Sequence, residues 1–88
     1  MTYTIVWRNE ARQALSRLRT GDLASAKLLT SAVRALSDDP HPPASNQLGG
    51  SRFWRLRLAQ LRVVYEVDNA RNAIYIYSIG RVRLPGES

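Results

Sequence analysis

The sequence has no cysteine, one histidine and one lysine. Without thiols, disulfides, thiolate metal sites and cysteine nucleophiles are excluded, and the chain suits a reducing compartment. His41 sits between Pro40 and Pro42, so a nuclease mechanism built on paired imidazoles has no second partner. Long apolar runs are missing too. No stretch approaches the roughly 18 to 20 apolar residues that a helical membrane span requires. The start, MTYTIVWRNE, lacks the basic-then-apolar pattern of an export signal. We therefore expect a soluble, cytoplasmic chain with no membrane partner. Carboxylates are sparse as well. Asp38 and Asp39 are adjacent but have no third carboxylate nearby, and a hard-cation site needs several converging oxygens. No metal or cofactor is implied.

What is abundant is arginine. Lys27 is the only lysine among 13 basic residues, which face 7 acids for a net charge of +6. Such a surface attracts nucleic acid, an anionic membrane or an acidic protein. The planar guanidinium fork suits phosphate or carboxylate better than an ammonium does. The excess lies toward the C-terminus, where residues 51–88 carry seven arginines against three acids. A chain of 88 residues with 44% hydrophobic content is large enough for one modest core, so residues 1–88 are expected to form a single domain.

Periodicity orders the elements. Thr2 to Trp7 alternates and is rich in β-branched and aromatic residues, as a strand requires. Asn9 can cap a helix from Glu10 to about Arg19, in which Ala11, Ala14, Leu15 and Leu18 recur at helical spacing. A second helix is expected from Leu23 to about Ser37, where Ala26, Leu29, Val33 and Leu36 form one stripe and Asp38-Asp39-Pro40 stops the chain. His41 to Gly50, rich in Pro, Gly, Ser and Asn, reads as a loop. Three strands follow: Phe53 to Ala59, Leu61 to Asp68 and Ala73 to Ile79, with a tight turn at Ala59-Gln60. The order β-α-α-β-β-β predicts an α+β fold, an antiparallel sheet with a helical hairpin packed on one face. The other sheet face is left to water or a partner.

Strand alternation then sorts the arginines. Trp54, Leu56 and Leu58 should meet the helices together with Leu61, Val63, Tyr65 and Val67, while Arg55, Arg57 and Arg62 converge on the open face. Glu66 is the only acid in the run from Arg52 to Val67. A half-buried sheet puts polar residues outward in any case. Three like charges on adjacent strands nevertheless repel, by roughly 0.2 to 1 kcal/mol per directly opposed pair, which favours a waiting anion site. Arg52 extends that basic run. Tyr75 and Tyr77 can share the open face and stack on bases, and the first helix offers Arg12 and Arg17 for RNA contact.

The segment QLGGSRFWRLRLAQLRVVYEVDNARNAIYIYSIGRVR, with its L-x-G loop at Leu48 to Gly50, basic-x-basic strand RLRL, RVVYEV box and closing SIGR, resembles the RelE/ParE superfamily of bacterial toxins, and RelE more than ParE. That resemblance implies a toxin of a toxin–antitoxin pair. RelE-like members cut messenger RNA on the ribosome without a metal, whereas ParE-like members poison DNA gyrase. It further implies a cognate antitoxin and, for the nuclease group, the ribosome and mRNA as partners. Arg55, Arg57 and Arg62 match the phosphate-handling positions, and Arg81 and Arg83 are expected to complete the catalytic set. The tail departs from the pattern. Val82 stands where the nuclease group has an arginine, and no tyrosine follows Tyr77. A gyrase poison, or a weakened member whose task is to bind its antitoxin, needs neither residue.

Overall fold

The computed structural model describes residues 2–82. Its elements run β1 (Thr4–Trp7), α1 (Asn9–Gly21), α2 (Leu23–Ala35), β2 (Ser45–Gln47), β3 (Phe53–Leu58), β4 (Leu61–Asp68) and β5 (Ala73–Arg81). The five strands form one sheet in the order β1-β5-β4-β3-β2. The α+β class and the helical hairpin over one sheet face are as the sequence predicts.

Several details differ. β1 pairs with β5 in parallel, Thr4 beside Ala73 and Trp7 beside Ile76, so the sheet is mixed, not wholly antiparallel. Alternation within a strand says nothing about the direction of its neighbour, which is set by how the helical hairpin and the later strands return the chain. The expected loop contains a strand, since Ser45, Asn46 and Gln47 pair antiparallel with Leu56, Arg55 and Trp54. Such polar residues carry little strand propensity of their own, and the exposed edge of β3 supplies the pairing. Asn9 does not cap α1. That position falls to Arg8, whose side chain makes no capping bond. Leu36 to Asp38 leave α2 through short-range bonds, with Leu36 N–H on the Val33 carbonyl at 3.1 Å and Ser37 N–H on that of Arg34 at 3.0 Å.

The core is the meeting of the two apolar faces. Ala11 and Leu15 of α1, Ala26, Leu29 and Val33 of α2, and Leu36 beyond it cover Leu56, Leu61, Val63, Tyr65, Ile74 and Ile76 of the sheet. Trp7, Trp54, Leu58 and Val67 pack partly buried at its margin. Tyr65 is fully buried and spends its hydroxyl on the Pro40 carbonyl at 2.6 Å. Burial holds that phenol above its ordinary value, because the charged form would lose its hydration. Asp22 ties the hairpin together: its carboxylate accepts from Ser25 N–H at 3.1 Å and from Ser25 Oγ at 2.6 Å, closing the first turn of α2.

Candidate functional site

The β3–β4 hairpin is closed by the two residues Ala59 and Gln60, with Leu58 paired to Leu61. Ala59 sits at φ 53°, the left-handed backbone that such short hairpin turns demand. This register sets Arg57 directly opposite Arg62 and Arg55 opposite Val64. Since paired residues share a face, the arginine trio occupies the side of the sheet away from the helices. Arg55 and Arg57 are exposed and Arg62 is half-buried. The Arg62 guanidinium donates to the carbonyls of Ala59 and Leu61, both at 2.8 Å.

Among the described residues no carboxylate pairs with these charges. Among the described residues the ion pairs are Arg52–Glu66, Arg71–Asp68 and Arg81–Asp22, none of which involves the trio. On the next strand, Arg62 is flanked by Gly80 and Val64 by Ser78. A side-chain carbon built at Gly80 would meet nothing within 4 Å, so the floor beside Arg62 is open. An uncompensated cluster of guanidinium groups around an open floor can bind a phosphodiester and stabilise extra negative charge on it.

A second group lies further along the same face. Phe53 is opposite Glu66, and Glu66 is opposite Tyr75. Tyr77 donates its hydroxyl to Glu66 Oε1 at 2.9 Å and meets Phe53 edge-on with ring centroids 5.1 Å apart. Arg52 approaches Glu66 Oε2 at 3.5 Å, and Arg8 lies over the Tyr77 ring at 5.3 Å. The hydrogen bond to Glu66, ahead of burial, holds the Tyr77 phenol above its usual range. Alternation alone brings Phe53, Glu66, Tyr75 and Tyr77 to this face. Arg52, just before β3, and Arg8, just after β1, complete the group from outside the strands, and only the isolation of Glu66 among basic neighbours could have singled it out in the sequence.

The last strand contains a bulge. Val64 pairs with Ser78 but Tyr65 pairs with Ile76, so Tyr77 is the extra residue and the alternation of β5 shifts by one beyond it. Ile79 therefore faces the core, opposite Val63, and Arg81 sits opposite buried Leu61. Arg81 thus points to the helical side, where it pairs with Asp22 at 3.1 Å. The Ser25 hydrogen bonds, joined by this guanidinium, hold the Asp22 carboxyl down at about 2. The structure does not bring Arg81 to the arginine trio. Arg83 lies outside the described residues. Arg12 and Arg17 are on α1, on the helical side; Arg12 donates to the Trp7 carbonyl at 3.4 Å, and Arg17 lines a cleft with Leu18, Ile79 and Arg81.

The fold is shared with solved toxins. The isolated RelE toxin of E. coli is 16% identical with a TM-score of 0.81, over 96% of this chain and 88% of that one. The archaeal RelE-RelB complex from Pyrococcus horikoshii OT3 gives 24% identity and 0.79, over 92% and 96%. The YoeB/ParE toxin from Agrobacterium tumefaciens gives 17% and 0.78, over 92% and 99%. At such identities the likeness is one of fold. Comparison with curated proteins gives no match. Residues 5–83, nearly the whole chain, match the family described as the ParE toxin of the type II toxin-antitoxin system, parDE, and the chain belongs to that family, a toxin of the RelE/ParE superfamily.

Proposed function

We propose that this toxin is a metal-independent endoribonuclease that cleaves mRNA on the ribosome. The observation that carries the reading is the trio Arg55, Arg57 and Arg62 on one open face, with no acid among the described residues paired to any of them. Attack by a ribose 2′-hydroxyl passes through a pentacovalent phosphorus with added negative charge, which clustered guanidinium groups stabilise. Arginine does not act as a base at neutral pH, so the trio supplies charge and the ribosome supplies alignment of the substrate. Arg81, engaged with Asp22, is outside this set.

A cognate antitoxin restrains the activity, as the RelE-RelB pairing of a similar chain suggests. An acidic, amphipathic segment that folds on binding suits the basic surface. The test is expression of the toxin without its antitoxin. Growth should arrest, transcript ends should map to ribosome-bound codons, and Arg62→Gln should relieve both effects. The ParE family match favours a second reading, gyrase poisoning. That reading predicts DNA-damage signalling with intact transcripts, and this outcome would replace the nuclease assignment.

A further inference from the structure

We infer that Glu66 is the general base of the cleavage reaction, supplying the proton transfer that the arginine trio cannot. The inference rests on the endoribonuclease reading. Its ground is the placement of one carboxylate beside an anion site that otherwise contains only cations.

Glu66 shares the open face with Arg55, since Arg55 is opposite Val64 and Glu66 follows two residues later on β4. Such diagonal neighbours lie about 7–8 Å apart, with their Cβ atoms somewhat closer. A phosphate held by Arg55 and Arg57 then has the 2′-hydroxyl of its ribose within reach of a carboxylate, but not so close that the carboxylate repels the phosphate directly. Asp68 lies further along the same strand but is taken by Arg71 at 3.0 Å in the following turn.

The carboxylate is also held in orientation. Tyr77 donates to one oxygen at 2.9 Å and Arg52 stands 3.5 Å from the other, with the Glu66 side chain only 15% exposed. A carboxylate has about four acceptor sites, so two contacts fix its rotamer and leave capacity for a substrate hydroxyl. The raised phenol of Tyr77 keeps it a donor at neutral pH. The bulge at Tyr77 shifts only the residues beyond it, so Tyr77 keeps the face of Tyr75 while Arg81 turns to the helical side.

In the step, Glu66 takes the 2′-hydroxyl proton as the 2′-oxygen bonds to phosphorus. The bond from phosphorus to the 5′-oxygen breaks, and that oxygen keeps the electron pair and takes a proton from water. The hydroxide left behind recovers the proton from Glu66. The products are a 2′,3′-cyclic phosphate and a 5′-hydroxyl end. Arg55, Arg57 and Arg62 carry the charge throughout.

The experiment is single-turnover cleavage of labelled mRNA on programmed ribosomes by the full-length toxin. Glu66→Gln preserves the hydrogen bond from Tyr77 and removes the basicity. It should slow cleavage by about 10²- to 10⁴-fold at unchanged ribosome affinity. Its residual rate should rise about tenfold per pH unit, as hydroxide replaces the base, with no such rise in the wild type. Tyr77→Phe, which loses only a positioning contact, should cost less than Glu66→Gln. Near-wild-type cleavage by a folded Glu66→Gln protein overturns the proposal while leaving the nuclease reading intact. If Glu66→Gln fails to fold, Glu66→Ala takes its place, since it too removes the carboxylate, and an unslowed rate there overturns the proposal equally. A wild-type toxin that cuts no RNA overturns both.

Discussion

Replacing Arg57 with glutamine should make the protein more stable and less active. In the hairpin register Arg57 faces Arg62 directly, and neither is paired with an acid among the described residues. Directly opposed like charges on a sheet cost about 0.2 to 1 kcal/mol. The Arg62 guanidinium donates to the turn carbonyls of Ala59 and Leu61, whose partial negative charge offsets part of its own and points to the lower half of that range. For a domain of this size 1 kcal/mol moves Tm by about 4–8 °C, so a gain of roughly 1 to 5 °C is expected. Glutamine keeps part of the aliphatic stem, and Arg57 is exposed, so little packing is lost. Thermal denaturation followed by circular dichroism at low salt measures the gain. The gain should vanish near 1 M salt, where the screening length is about 3 Å. The same variant, expressed without antitoxin, should lose growth arrest and transcript cleavage. A lowered Tm would show that the arginines are held by contacts that strand geometry does not reveal. Undiminished toxicity would show that the face is a solvated surface and not a site.

Two further perturbations test the framework around the site. Asp22 is held at about 2 against an ordinary 3.8, so its stabilising contribution is complete above the ordinary value and disappears as pH falls through the lowered one. Asp22→Asn, which can still cap α2, should flatten the loss of stability between about pH 4 and pH 2 in urea titrations; an unchanged acid limb would remove Asp22 from the account. Tyr65→Phe deletes the 2.6 Å bond to the Pro40 carbonyl and should cost about 1 kcal/mol. Because burial raises the Tyr65 phenol above 10.0, the neutral form is the one the fold favours. Its contribution is present below pH 10 and is lost as pH rises beyond it. The variant should therefore show a shallower alkaline decline in chemical denaturation.

Much of the fold was legible because the relevant signals are local. The helix stripes Ala11–Leu15 and Ala26–Leu29–Val33, the two-residue turn at Ala59-Gln60 and the strict alternation of RLRL depend on neighbours a few positions apart. Those same local rules separated Leu56 and Val63, which pack under the helices, from Arg55, Arg57 and Arg62, which do not. The polar strand Ser45–Gln47 was not legible, because its order derives from the edge of β3 and not from its own residues.

Arg81 marks the limit most clearly. Counting by twos from Tyr75 and Tyr77 places it on the open face with the trio, yet a single extra residue at Tyr77 reverses the phase and sends it to Asp22, 59 positions earlier. Glu66 shows the complementary case. As a residue in a string it is one acid in a basic run, and its hydrogen bond to Tyr77 exists only because β4 and β5 pair in this register. Side-chain direction within an unbroken strand follows from covalent geometry and can be counted off the chain. Where a bulge falls, and which distant groups then share a face, is settled by the packing of β4 against β5 under the helices, a balance of long-range contacts for which no local pattern stands in.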